Sequence, residues 1–221
     1  MFFSYRIVDC FYVFVCKFFI GGLTLIDYFD DLVCKLNDAN KDIKLIKSNI
    51  VKHKKNYLFD LFEFEISDKI KYLYNNYKVF LISWENDKEK LNGFIDFISY
   101  EEILNEHKVI CNLAENIEKD LIEEQERVIN DLKCWYPIFK FPNGDAFCYD
   151  NRNGKVVFFE HEVFDTGINL HGLIIAESID VLLENWSEVL FIDIYDWYEG
   201  VDEQGINLRK NVYSKVLKEI K

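Results

Sequence analysis

The sequence predicts an α+β fold with a mainly antiparallel sheet, a meander plus a hairpin, flanked by helices. Between Trp135 and Glu162, three short runs rich in aromatic and β-branched residues are separated by two loops containing Asn and Gly. This pattern is typical of a three-stranded meander. The segments Lys78–Trp84 and Gly93–Ser99 flank a polar loop and predict a hairpin with a long connection. Other segments carry apolar residues at helical spacing, which predicts the flanking helices.

The composition indicates one globular domain over residues 25–221. The chain has 221 residues, of which 50% are hydrophobic, and it is long enough to bury a substantial core. Two prolines and nine glycines leave no stretch that resembles a flexible linker.

Residues 1–24 differ in composition from everything that follows. They are aromatic and aliphatic, but Arg6, Asp9 and Lys17 interrupt the apolar run, so it is too short to predict a spanning helix. No small-residue cleavage site follows it, which disfavours a signal peptide. We expect a hydrophobic extension that stems from a misassigned start, with Gly21-Gly22 translated from a purine-rich ribosome-binding site. A membrane-associated helix is the alternative.

The net charge of −13 is concentrated in the second half of the chain. Residues 101–221 contain 12 basic and 25 acidic residues, which accounts for the whole excess. Such a surface repels nucleic acid and anionic lipid and attracts a basic protein. Solubility alone explains the acidity equally well. The six cysteines show no regular framework, which indicates buried thiols in a reducing compartment, the cytoplasm.

Three helices are predicted before the hairpin. The first begins at Thr24 as its cap and carries apolar residues at helical spacing up to Leu36. The lysine-rich residues 41–56 predict a second, weaker amphipathic helix. Within residues 57–77, Ser67 is the expected cap of a helix that stops at two asparagines.

Two further helices are predicted between the hairpin and the meander. One begins in Glu101–His107, and the longest covers residues 112–134 with Asn112 as its cap and an acidic outer face.

After the meander, Leu173–Ala176 predicts a short buried strand or helix lead-in, and Glu177–Trp186 predicts an amphipathic helix. Phe191–Tyr198 predicts a strand or an irregular edge, and residues 207–221 predict a basic C-terminal helix.

Motifs for catalysis are weak in this sequence. His161-Glu162 resembles the start of a zinc-protease motif, but Asp165 replaces the second histidine and the segment ends a strand. Cys148 lies within an alternating strand where nothing lowers its pKa. Asp145 and Asp150 are expected to serve the turns rather than a metal or a glycosidase pair. Glycine-rich phosphate loops are absent, so we expect neither an enzyme nor a cofactor or metal.

The acidic and aromatic run 193–203 is the most interface-like feature of the sequence. Exposed aromatic residues ringed by carboxylates suit a basic protein surface, while ordinary strand alternation explains the same pattern. A second candidate surface is the polar face of the predicted helix 112–134. The candidate partner-binding residues are Asp193, Asp196, Trp197, Tyr198, Glu199, Asp202, Glu203, Glu123 and Glu124.

The order of the motifs over residues 57–205 resembles the SUKH superfamily, which includes the fungal Smi/Knr cell-wall regulators and many bacterial immunity proteins. The strongest segments are PIFKFPNGDAFCYD and IAESIDVLLENW. The chain departs from the family at Asn75-Asn76, where a double glycine is common, and in the predicted acidic helix 112–134.

The resemblance implies a non-enzymatic role, in which the protein binds and neutralises a cognate toxin. A basic effector such as a nuclease matches the acidic second half, since opposite charges speed association. The alternatives are a regulatory or scaffold protein of the SUKH type without a toxin partner, and a hydrolase that uses the carboxylates near the meander. No nucleic-acid partner is expected, and no membrane partner unless residues 1–24 are genuine.

Overall fold

The computed structural model describes residues 19–20, 23–24, 28–38, 43–87, 91–115, 123–161, 171–193, 201–202 and 205–206. The described helices are α1 Tyr28–Asp38, α2 Asp68–Asn76, α3 Ile103–Glu115, α4 Glu123–Cys134 and α5 Ile179–Glu188. The longer strands are β3 Ile43–Lys52, β4 Tyr77–Asn86, β5 Leu91–Phe97, β6 Trp135–Lys140, β7 Ala146–Asp150, β8 Val156–Phe159 and β9 Ile174–Ala176. Two separate two-stranded ribbons are β1 Phe19–Ile20 with β2 Leu23–Thr24, and β10 Val201–Asp202 with β11 Gly205–Ile206.

The fold class is α+β, as predicted. Strands β3 to β9 form one seven-stranded antiparallel sheet in sequence order, with helices flanking it. The hairpin is β4–β5 and the meander is β6–β7–β8, so both predictions are confirmed. The turns of the meander place Gly144 and Gly154 at φ values of 99° and 76°, which glycine adopts without a steric cost.

Helices cover the two faces of this sheet unequally. Buried residues of α1, α2 and α5 belong to one large cluster with Phe80, Phe97 and Phe147. A smaller cluster joins α3 and α4 to Ala146 and Cys148 of β7. Because successive residues of a strand face opposite sides, β7 is buried on both faces and forms the centre of the core.

The segment before Asp193 fills a gap in the sheet. Strands β5 and β6 share a single register pair, Phe97 with Phe139, and the start of β5 bonds instead to residues 191–193. Leu190 and Phe191 have φ values of 54° and 55°, which side chains rarely adopt. This costs free energy, which buried contacts offset, including a bond from the Trp84 indole N–H to the Leu190 carbonyl at 2.8 Å.

Residues 41–56 do not contain the predicted helix, because Ile43–Lys52 is strand β3. A β-bulge at Ile46 shifts the register between Leu45 and Lys47, so the alternation of a strand is broken in the sequence. The apolar residues at 43, 46 and 50 therefore imitate helical spacing. Pairing with β4 along the whole strand decides the structure.

The single helix predicted over residues 112–134 is also wrong. Asn112 lies inside α3 instead of capping a helix, and α3 extends the helix predicted to begin in Glu101–His107. Cys111 Sγ lies 3.7 Å from the Leu132 carbonyl oxygen, which a continuous helix forbids. Helices α3 and α4 are therefore two antiparallel partners, and apolar packing outweighs the local capping signal.

Of the remaining local predictions, those for α2, β9 and α5 are confirmed and the cap of α1 is wrong. Ser67 caps α2 by accepting a hydrogen bond from Ile70 N at 3.3 Å, and Leu173–Ala176 supplies strand β9. The helix predicted over Glu177–Trp186 is α5, which begins two residues later and is capped by Ser178. Thr24, the predicted cap of α1, lies in β2. The predicted helix over residues 207–221 and most of residues 1–24 lie outside the described residues.

Among the described residues, no helix is long and apolar enough to cross a membrane. Cys148 is fully buried, whereas Cys34, Cys111 and Cys134 are partly exposed thiols outside any disulfide. The expectation of buried thiols is therefore met at Cys148 and only partly at the other three.

Candidate functional site

A cleft that joins the sheet to a helix lies between α3 and the meander. It has a volume of about 250 Å³ and is named the α3 cleft below. Its lining residues are Ile98, Glu106, Val109, Ile110, Pro137, Lys140, Gly144, Asp145, Ala146, Phe159 and His161.

The floor of the α3 cleft is apolar because it continues the smaller core cluster. Ile110 of α3, Ala146 of β7 and Phe159 of β8 are buried members of that cluster. Pro137 lies at a register shift in β6, where a missing N–H does not interrupt the ladder of hydrogen bonds. The floor is thus held by the sheet and by α3, which makes it rigid.

One wall of the cleft is a carboxylate–imidazole pair between Asp145 of the β6–β7 turn and His161, which follows β8. Asp145 is 5% exposed, and its Oδ1 accepts bonds from His161 N at 2.9 Å and from His161 Nδ1 at 2.7 Å. The Asn143 amide donates to the other oxygen, Oδ2. A Cβ at Gly144 would lie 3.2 Å from the imidazole, so the glycine lets the ring approach the turn. The carboxylate therefore fixes the orientation of His161.

The opposite wall is an ion pair between a strand and a helix. Lys140 Nζ lies 3.1 Å from Glu106 Oε1. Burial lowers the pKa of Lys140, but the hydrogen bond and charge of Glu106 outweigh it, and the pKa is raised overall. Beside this pair, burial raises the pKa of Asp96 against the opposing charges of Lys140 and Lys47. Apart from the His161 imidazole, the charged groups of the lining are two carboxylates and one ammonium group.

The rim of the cleft exposes apolar surface. The Val109 side chain lines the cleft and is 59% exposed, and Leu104 on the same helix is 44% exposed. Large apolar side chains in water next to a cleft are typical of a contact surface.

The chemistry of the α3 cleft suits binding better than catalysis. Among the described residues that line it, there is no serine, threonine or cysteine that could act as a nucleophile. Cys148, which shares the cluster beneath the floor, is fully buried, and desolvation raises its pKa well above the usual value. The oxygens of Asp145 are occupied by the hydrogen bonds that hold the turn.

Asp150 likewise has a structural role, as predicted for the turn carboxylates. It is 2% exposed and accepts bonds from Arg152 N at 2.9 Å and from the Trp135 indole at 3.1 Å. The Arg152 guanidinium bridges Asp150 and Asp131, at 2.7 Å to each. Burial raises the pKa of Asp150, but the bonds and charge of Arg152 outweigh it and lower the pKa overall.

A sulfur–imidazole contact on α3, between Cys111 and His107, lies outside the lining of the α3 cleft. Cys111 Sγ lies 3.4 Å from His107 Nε2 and 3.9 Å from Nδ1. The Tyr136 ring stacks on the same imidazole at a centroid distance of 4.1 Å. His107 is therefore a packing residue that also bonds the Trp135 carbonyl oxygen at 2.7 Å.

Of the predicted partner-binding residues, Asp193 is the one whose side chain the structure describes, and it does not line the α3 cleft. Asp193 bonds through its backbone N–H to Asn92 at the start of β5, whereas the cleft lies beyond the end of that strand, at Ile98. Glu123 and Glu124 form the first residues of α4, and Asp202 lies in β10. Outside the described residues lie Asp196, Trp197, Tyr198, Glu199 and Glu203.

Little in the sequence indicates this cleft. Asp145 predicts a turn and His161 belongs to an incomplete zinc-protease motif, so neither pattern indicates that the two side chains meet. The pairing between them spans 16 residues and depends on the register of β7 with β8. The one local signal is an apolar residue, Val109, on the outer side of a helix.

Comparisons with family models, with curated proteins and with solved structures give no match for this chain.

Proposed function

We propose that the protein is a non-enzymatic binding module, an immunity protein that neutralises a basic toxin of a bacterial toxin system. The observation that carries this proposal is the α3 cleft, with its apolar floor, two carboxylates and exposed Val109. The resemblance of residues 57–205 to the SUKH superfamily supports it from the sequence.

The α3 cleft fits one lysine or arginine side chain of a partner. The aliphatic stem of such a side chain packs on an apolar floor while its charged head stays near the rim. Glu106 and Asp145 supply negative charge there, and Lys140 is already paired with Glu106. Central pockets that take one long side chain contribute much of the binding energy at protein interfaces.

The overall charge supports the same class of partner. The net charge of −13 accelerates the approach of a basic protein at low salt. The candidate residues of the run 193–203 and of α4 would then act in steering the partner, while the cleft supplies a short-range contact.

The hydrolase alternative receives less support from the geometry. A carboxylate acting as an acid or base needs an oxygen directed at the substrate. The oxygens of Asp145 and Asp150 instead accept hydrogen bonds from within the protein.

The test is co-expression of the chain with the toxin encoded by the adjacent gene, scored by growth rescue and by co-purification. Val109→Arg puts a positive charge in the cleft and should weaken co-purification about tenfold or more, which corresponds to about 1.4 kcal/mol. Val181→Arg is the matched control, because Val181 is an exposed valine on α5, on the opposite face of the sheet.

Three outcomes decide between the possibilities. If neither growth rescue nor co-purification occurs, the immunity function is refuted. If co-purification occurs without any toxicity to rescue, the regulatory or scaffold alternative is favoured. If Val109→Arg behaves like Val181→Arg, the cleft is not the binding surface, and charge reversal at Asp196 and Glu199 then tests the acidic run.

A further inference from the structure

Strand β3 is the edge of the seven-stranded sheet within the described residues. It pairs with β4 on one side, in register from Ile43 with Asn86 to Lys52 with Tyr77. A strand at a sheet edge presents backbone N–H and C=O groups that a further strand can bind. Ten residues make β3 one of the two longest strands described.

The side chains of β3 are exposed on both faces of the sheet. All of its residues except Ile43 and Ile50 are exposed. They include three large apolar residues, Leu45, Ile46 and Val51, which are 47%, 45% and 41% exposed. A long strand with exposed apolar residues on both faces is a template for strand addition.

The charge of this edge is opposite to that of the whole protein. Residues 43–59 contain five lysines and no acidic residue, in a chain with a net charge of −13. We name residues 43–55 the basic edge. Lys52 is paired with Asp30 at 2.7 Å and Lys55 with Glu101 at 3.6 Å. Lys44, Lys47 and Lys54 form no ion pair with a described residue.

The bulge at Ile46 aligns two of these lysines. Lys44 and Lys47 are three residues apart and would face opposite sides of a regular strand. The bulge adds one residue to β3 without a partner on β4. Lys44 therefore pairs with Glu85 and Lys47 with Ser83, and these two partners are two residues apart on β4. Both lysines therefore project from the same face of the sheet.

A polar pocket follows the end of the strand. It has a volume of about 360 Å³ and is lined by Lys54, Lys55, Asn56, Tyr72, Asn75 and Asn76. The segment that carries these lysines is held by backbone bonds from His53 N and Lys55 N to the last carbonyls of α2, at 2.8 and 2.9 Å. The pocket thus extends the basic edge with further cationic and amide groups in a fixed position.

The occupant of the basic edge is constrained by charge. A second copy pairing through its own β3 would place lysines against lysines, which destabilises a sheet. The same lysines attract carboxylates. We propose that the basic edge binds an extended acidic segment of a partner protein by strand addition, with alternate acidic side chains meeting Lys44 and Lys47 and a further carboxylate near Lys54. This surface is distinct from the α3 cleft.

The probe is a synthetic peptide that alternates glutamate with valine, measured against the full-length protein by fluorescence anisotropy. Binding should occur, weaken with salt, and fall about tenfold or more in Lys44→Glu/Lys47→Glu. The matched control is Lys108→Glu/Lys133→Glu, which makes the same charge change at exposed lysines of α3 and α4 and should alter affinity less than about twofold. Circular dichroism verifies that both variants fold.

Two modified peptides separate strand addition from simple charge attraction. One peptide carries N-methyl groups on its odd-numbered residues and the other on its even-numbered residues. Each set removes the N–H donors along one edge of the peptide strand, so the peptide that loses the donors facing β3 should no longer bind. Any binding of a lysine–valine peptide should not be weakened by Lys44→Glu/Lys47→Glu, because the acidic remainder of the surface would hold that peptide.

The proposal is overturned if the glutamate peptide fails to bind, if the Lys44/Lys47 variant binds it equally well, or if both methylated peptides bind unchanged. Self-association of the native protein that the Lys44/Lys47 variant abolishes would overturn it in favour of a second copy. None of these results depends on the toxin, so they are separable from failure of the proposed immunity function.

Discussion

Replacing Asp150 by asparagine tests whether the buried carboxylate at the end of β7 organises the meander. Its Oδ1 accepts bonds from Arg152 N and Nε, both at 2.9 Å. Its Oδ2 accepts bonds from the Trp135 indole at 3.1 Å, from Arg152 Nη2 at 2.7 Å and from Asn153 Nδ2 at 3.3 Å. In Asp150→Asn, an NH2 group replaces one of the two carboxylate oxygens. That group cannot accept the hydrogen bonds that the oxygen accepted, and its own N–H groups face the same donors.

The expected loss is about 3 kcal/mol of unfolding free energy at pH 7. Hydrogen bonds to a charged group contribute about 1.5–3 kcal/mol each, and a buried N–H left without an acceptor costs about 1–3 kcal/mol. These terms overlap, so the sum is not additive. For a protein of this size, the melting temperature should fall on the order of 10 °C.

The effect should depend on pH. The folded-state pKa of Asp150 is lowered, so its charge stabilises the fold above the unfolded pKa of about 3.9. That contribution is lost as the pH falls through the folded-state pKa. The difference between the native protein and Asp150→Asn should therefore shrink in acid.

The assay is urea denaturation followed by tryptophan fluorescence at pH 7 and in acid below the folded-state pKa. Asp68→Asn is the control, because the Asp68 side chain is 91% exposed and should contribute less than about 0.5 kcal/mol. A loss below about 0.5 kcal/mol for Asp150→Asn at pH 7, or a difference that does not change in acid, refutes the reasoning.

Two further substitutions test close packing and capping. Gly93→Ala should cost about 3 kcal/mol or prevent folding, because its Cβ would lie 1.8 Å from Trp84 Nε1. Adding Trp84→Leu should relieve part of that loss in a double-mutant cycle of urea midpoints, and additive losses would contradict the clash. Ser67→Ala should lower stability by about 1–2 kcal/mol, since Ser67 caps α2 and also bonds Asp180 Oδ1 at 2.6 Å. Thermal unfolding should show a smaller loss in Ser178→Ala, which removes a cap alone; equal losses would show that the bond between α2 and α5 adds nothing.

Predictions from the sequence are accurate where local chemistry decides the structure. The meander has glycines where φ is positive, and Ser67, the predicted cap of α2, bonds its own helix. These features depend on a few neighbouring residues, so they are visible in the sequence.

Predictions are wrong where a distant partner decides. Residues 43–52 carry an apolar spacing that fits a helix, yet pairing with β4 makes them a strand with a bulge at Ile46. Asn112 resembles a cap, yet the packing of α3 on α4 continues the helix through it. In both cases, contacts between residues far apart in the chain outweigh a weak local preference.

The sequence alone determined the α+β class, the hairpin, the meander and the acidic character of the chain, because alternation, turn residues and charge are local or summed properties. The tertiary structure alone decided which side chains meet. It joined Asp145 to His161 and Lys140 to Glu106 around one cleft, and it placed Lys44 and Lys47 on one face of an edge strand. Those placements depend on strand register and helix packing, and a shift of one residue in either would separate the groups.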